Sequence, residues 1–138
     1  MGSERPIRFL SPEQARDLVA LAERARRGLS QFAGHDTGYN AEAVQLLDEW
    51  IHHTLQRWRE PPVGARLLWA SLMGEMFRRR HEGWWALQDG ELVIVCPTSG
   101  GKQRIIPVQA KLDRRIASGM SESLTYFYDI TCIELKLG

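Results

Sequence analysis

Residues 65–97, ARLLWASLMGEMFRRRHEGWWALQDGELVIVCP, decide the fold class. They read as one amphipathic helix, a glycine break and a β-hairpin. From Ala65 to His81, Leu68, Leu72 and Met76 with neighbouring Trp69, Met73 and Phe77 cover more than half the helix circumference. That pattern predicts the most buried helix of the chain. Gly74 sits inside it, at a cost of about 1 kcal/mol relative to alanine. The reading that accounts for it is close approach of another backbone, a helix or the sheet. Glu75 follows, either buried against an arginine or simply exposed. Arg78-Arg79-Arg80-His81 then complement the negative end of the helix dipole. A nucleic-acid patch is the weaker account, since no aromatic or glycine-rich recognition motif accompanies these cations.

Gly83 ends that helix, and Trp84–Gln88 reads as a strand. Asp89-Gly90 is a two-residue hairpin signal. The return strand, Glu91 to Cys96, is nearly all apolar and should be central in its sheet. Trp84 and Trp85 point to opposite faces, so both are buried only if both faces are covered. After Pro97, the segment Thr98-Ser99-Gly100-Gly101-Lys102 has a faint look of a phosphate loop. It lacks the earlier glycine, where Cys96 stands, and the serine or threonine after the lysine, where Gln103 stands. It is read as the turn into a third strand, Gln103 to Pro107, which makes an antiparallel meander of at least three strands.

Upstream, Ser11-Pro12-Glu13-Gln14 is a helix start with a capping box. Ala15, Leu18, Val19, Ala22, Ala25, Leu29 and Phe32 form one apolar stripe behind it. The loop AGHDTGYN follows. Its His35-Asp36 pair suggests a catalytic dyad, but local side-chain caps are the better reading of neighbours in a loop. Asn40 caps a second helix, Ala41 to Arg59, whose stripe runs Val44, Leu47, Ile51, Leu55, Trp58. Asp48 with His52 and Glu49 with His53 are read as solvated pairs at four-residue spacing. A Glu-x-x-His pair is half of a di-iron motif, and the second pair is absent. Residues 1–10 are expected to be a loosely ordered arm.

Downstream, Pro107 opens a short helix with Val108, Leu112 and Ile116 inside and Lys111, Arg114 and Arg115 outside. Gly119 is placed for its C-terminal cap. Ser121 is expected to cap a last helix carrying Leu124, Phe127, Tyr128, Thr131 and Leu135. The alternating tail Ile133–Leu137 competes as a strand. Tyr126 falls away from the stripe, as an exposed contact or a cover for the sheet.

The whole is an α+β fold: N-terminal helices packed on a small antiparallel meander, then one or two C-terminal helices. At 138 residues this is a single domain, 1–138. Hydrophobic residues at 43% and charged residues at 25% are an ordinary globular balance. A net charge of +1 gives no global field to hold nucleic acid or an anionic membrane. Cys96 and Cys132 are too few for a disulfide framework and are read as buried thiols. No apolar run approaches the roughly 20 residues a membrane helix needs. MGSERPIRFL has no signal-peptide core, so a cytoplasmic protein is expected. No cofactor and no metal site is expected.

From about Leu67 to Ile130 the chain resembles a family of small bacterial domains of unknown function. The resemblance rests on Gly74-Glu75, Gly83 with Trp84 or Trp85, the apolar strand, Pro107, the basic helix ending at Gly119, and Ser123-Leu124 before Phe127-Tyr128. It implies an α+β accessory protein, immunity-like in role, and assigns no catalytic residue.

Two functions follow. The first is a non-enzymatic interaction protein, with another protein or a second copy as partner. Its site is drawn from Glu75, Arg79, His81, Trp84, Trp85 and Tyr126, since aromatics and arginines anchor interfaces. The second is a small enzyme or small-molecule-binding domain with polar groups from Glu75, His81, His35 and Asp36.

Overall fold

The computed structural model describes residues 5–138. A short strand β1 (Ile7–Phe9) leads into α1 (Pro12–Ala33), α2 (Ala41–Arg57) and α3 (Ala65–His81). Strands β2 (Trp84–Gln88), β3 (Glu91–Pro97) and β4 (Gln103–Ile106) follow, then α4 (Val108–Ser118), a 3-10 turn (Gly119–Glu122) and α5 (Leu124–Leu137). The four strands form one antiparallel sheet in sequence order. The fold is α+β, with helices leading, the meander central and two helices closing the chain.

The local signals act as their chemistry dictates. The Ser11 hydroxyl accepts from the Gln14 amide at 3.1 Å, and the Gln14 side chain accepts from the Ser11 amide at 3.0 Å. Asn40 Oδ1 accepts from the Ala43 amide at 2.9 Å and starts α2. Asp89 and Gly90 both adopt positive φ, 53° and 77°, the geometry a two-residue hairpin needs.

Four expectations change. The arm expected over residues 1–10 contains an edge strand, with Ile7, Arg8 and Phe9 opposite Gln88, Leu87 and Ala86. Three residues carry too little periodicity to announce a strand, but β2 offers them an open edge. The last helix is capped by Ser123, whose hydroxyl accepts from the Tyr126 amide at 3.2 Å; Ser121 lies within the 3-10 turn. The alternating tail is helical to Leu137. Finally, Lys111 and Arg115 are not outside: both are buried, Arg115 at 1% exposure.

Helix α3 lies between α1 on one side and the sheet on the other. Every residue from Trp69 to Phe77 is buried. Full burial of each large apolar side chain there is worth about 1.5–3 kcal/mol, which makes α3 the centre of the core. The register sets Trp85, Ile94 and Ile106 in one row on the inner face of the sheet. That row joins α3 and the α4 residues Val108 and Leu112 in the main core. Gln109 Oε1 accepts from the Leu92 amide at 2.8 Å and ties α4 to β3. The next rows, Trp84–Val95–Ile105 and Phe9–Ala86–Val93, face away from the helices.

Candidate functional site

Glu75 is wholly buried beneath Trp85. Its carboxylate accepts from Trp85 Nε1 at 2.9 Å, from Arg79 Nε at 2.9 Å and from both Arg78 nitrogens facing it. Burial alone pushes this carboxyl up, but the bonds from Arg78, Arg79 and Trp85 outweigh it and hold the pKa below the usual range. The network continues through Arg79, whose guanidinium lies 3.8 Å from the Tyr39 ring centre. Tyr39 donates to Glu23 at 2.8 Å, and Arg26 bonds Glu23, Asp36 and the Thr37 carbonyl. Burial and the bond to Glu23 push the Tyr39 hydroxyl up to about 12. This chain of matched charges fastens the α1–α2 loop to α3 and the sheet. An ionised carboxylate saturated with donors has no proton to give and little appetite for one, so Glu75 is framework rather than an acid or base.

His35 and Asp36 do not form a dyad. The His35 ring nitrogen faces the Asp36 backbone carbonyl at 3.1 Å, and the Asp36 carboxylate is taken by Arg26 at 2.8 Å. His81 Nε2 lies 3.1 Å from Cys132 Sγ. Burial, then Arg80 and Lys136, lowers the His81 pKa, and burial raises that of Cys132. The pair is therefore a neutral imidazole beside a neutral thiol, the opposite of an activated nucleophile. Cys96 and Cys132 are both free and buried.

Asp48 corrects the reading of α2. It is not solvated and does not pair with His52. It is buried and accepts from Arg115 Nε (2.9 Å), the Leu124 and Thr125 amides (3.0 and 2.8 Å), and the Thr125 and Ser123 hydroxyls (2.6 and 3.1 Å). A carboxylate of α2 thus fills the amide-rich N-terminus of α5, and Arg115 supplies the counter-charge. His52 and His53 are exposed. Among the described residues no group of three or more His, Cys, Asp or Glu is arranged to hold a metal ion.

The six residues singled out from the sequence therefore separate. Glu75, Arg79 and Trp85 share the network, and His81 sits against Cys132. Tyr126, 66% exposed, stands at the rim of a groove of about 460 Å³ between α4 and α5, beside Lys111, Glu122, Phe127 and Arg104. Both cations of that groove are already matched, Lys111 by Glu122 and Arg104 by Glu134.

Trp84 alone lies on the outer sheet face. It is 53% exposed, with Phe9 of β1 at 52% beside it. Ala86, Val93 and Val95 form a small second core on this face, beneath Ile7 and Ile105. An open hollow of about 320 Å³ is lined by Phe9, Trp84 and Gln103. Phe9 escaped notice because it fell in the expected arm; the alternation of Ile7 and Phe9 was the only signal for it. Comparison with protein-family models, with curated proteins and with solved structures gives no match to this chain.

Proposed function

We propose that this chain is a non-enzymatic protein-interaction module, immunity-like in its use, that docks a partner on the outer face of its sheet. One observation carries the reading: two half-exposed aromatics, Phe9 and Trp84, stand together on the outer sheet face and line an open hollow of about 320 Å³ there. Large aromatics left half in water side by side mark a contact surface. The fitting partner is a protein surface that is itself apolar and nearly uncharged, because outward-facing positions of β1–β4 carry almost no charge. Trp and Phe in such a patch supply large contact area at low conformational cost. Neither the hollow beside Tyr126 nor the one beside Trp84 is lined by Glu75, His81, His35 or Asp36.

The test is the size of the native complex in extracts of host cells carrying Trp84→Ser together with Phe9→Ser, compared with Leu137→Ser, an exposed residue elsewhere. Loss of the complex with the first pair and its retention with the second supports docking on the sheet. Retention with both refutes it.

A further inference from the structure

We propose that the groove between α4 and α5 binds a small aromatic monocarboxylate, with Lys111 taking the acid group and Tyr126 and Phe127 taking the ring. This site is separate from the outer sheet face. Its one contribution from the sheet is Arg104, which alternates with the outward-facing Gln103 and Ile105 and shares the helix side of β4 with Ile106.

The groove's volume of about 460 Å³ is that of a small-molecule site. Met120, Tyr126 and Ile130 border it and stand partly in water, so its walls are apolar where it opens. Its floor is polar. Lys111 and Thr131 line it although they are only 7% and 2% exposed. A lysine set so deep is rare unless its charge and its donors are used. Glu122 takes one of the three Lys111 N–H groups, and the ammonium lies 5.5 Å from the Phe127 ring centre. Two donors remain for an occupant, and the Thr131 hydroxyl, one helical turn beyond Phe127, adds another.

Charge decides the class of that occupant. Lys111 and Arg114 both face Glu122, and Arg104 faces Glu134 at 2.9 Å. Three cations against two carboxylates leave one positive charge, which a monoanion cancels. The Arg115–Asp48 pair behind Met120 is balanced in itself. A bond from ammonium to carboxylate is roughly twice as strong as a neutral one, so the groove prefers an acid to its amide. Tyr126 and Phe127 favour a ring over an alkyl chain, because aromatic pairs gain about 0.5–1.5 kcal/mol beyond their buried area.

NMR chemical-shift titration of the full chain with 3-phenylpropionate, 3-phenylpropionamide and octanoate tests each element. The parent should bind 3-phenylpropionate with a Kd of about 0.1–1 mM, as suits a small ligand in an open groove, with shifts centred on Lys111, Phe127 and Thr131. The amide should bind roughly tenfold more weakly, and octanoate should also be weaker. Lys111→Met, which keeps the length of the side chain without its charge, should lose roughly tenfold for the acid. Ile130→Glu, on the exposed wall, should abolish binding with the fold intact, and Trp84→Ser should bind as the parent does. No saturation up to about 10 mM overturns the site. So does an amide, or octanoate, that binds as well as the aromatic acid, or a Lys111→Met or Ile130→Glu variant that binds as the parent does. Shifts centred on Phe9 and Trp84 would place the acid on the sheet face and overturn it as well. Docking of a protein on that face stands or falls separately, on the native-complex experiment above.

Discussion

The indole of Trp85 occupies the space a side chain on Gly74 would need. A β-carbon built there lies 2.0 Å from Trp85 Cη2 and 2.5 Å from Cζ2. The sequence predicted a close approach at Gly74 by another backbone; what approaches is the ring of a side chain. That ring is not free to retreat, because its Nε1 is bonded to the buried Glu75 carboxylate. One residue thus gives α3 its room for the sheet, and the next holds the sheet in place.

Gly74→Ala should therefore destabilise the fold although alanine is the better helix former. Overpacking a filled core costs about 1–3 kcal/mol, more than the roughly 1 kcal/mol gained in helix propensity. Chemical denaturation checks this. A variant more stable than its parent would show that the Trp85 ring yields freely.

Local signals carried most of the fold. The Ser11 capping box, Asn40, the Asp89-Gly90 turn and Pro107 each act within four residues, and sequence displays such chemistry directly. What stayed hidden depends on distant partners. Asp48 looked like a solvated acid because its hydroxyl and amide donors lie 75 to 77 positions away. Arg115 and Lys111 looked exposed because charge on a helix usually is, and only Asp48 and Glu122 make their burial tolerable. The outer face was half visible. Trp84 and Trp85 had to face opposite ways, but nothing local said that Phe9 would join Trp84 in the open on the outer side.

Asp48→Ala removes the only carboxylate among the described residues bonded to buried Arg115. Breaking a buried ion pair from one side costs about 3–5 kcal/mol. Arg115→Met in the same chain should recover part of that loss, since no uncompensated cation is then left. Urea unfolding of the two single variants and the double variant reads this directly. Strictly additive losses would mean that the pair is not coupled.

Acid should weaken the protein in two stages. His81 is held below 6.5 by burial, Arg80 and Lys136, so the unfolded chain binds its proton more readily and stability declines as pH falls past that value. At Glu75 and Asp48 burial acts upward, but their hydrogen bonds set the folded pKa values below 4.5 and 3.8. Their contribution is complete above those values and is lost as pH falls through the folded ones. Melting temperatures across pH should show both limbs, and His81→Leu should remove only the upper one. A parent whose melting temperature is unchanged down to pH 4.5 contradicts the account of His81.

Both thiols should be inert in the native state. Burial pushes Cys96 up to about 12 and raises Cys132 as well, so neither is a thiolate near neutrality. A thiol-specific reagent should react with neither until the chain unfolds, and then with both. His81→Ala should leave the native protein equally unreactive. Fast labelling of Cys132 that depends on His81 would reveal an activated nucleophile.

The central claim is that the outer sheet face is covered when the protein works, and oxidative footprinting of tryptophan tests it most directly. Trp58 and Trp84 are matched in the isolated chain, at 52% and 53% exposure, so they form an internal pair. Dilute purified protein should show equal oxidation of the two. In the native host extract, Trp84 should be protected while Trp58 stays reactive. Equal oxidation in both settings would mean that the face stays bare, and would contradict the account.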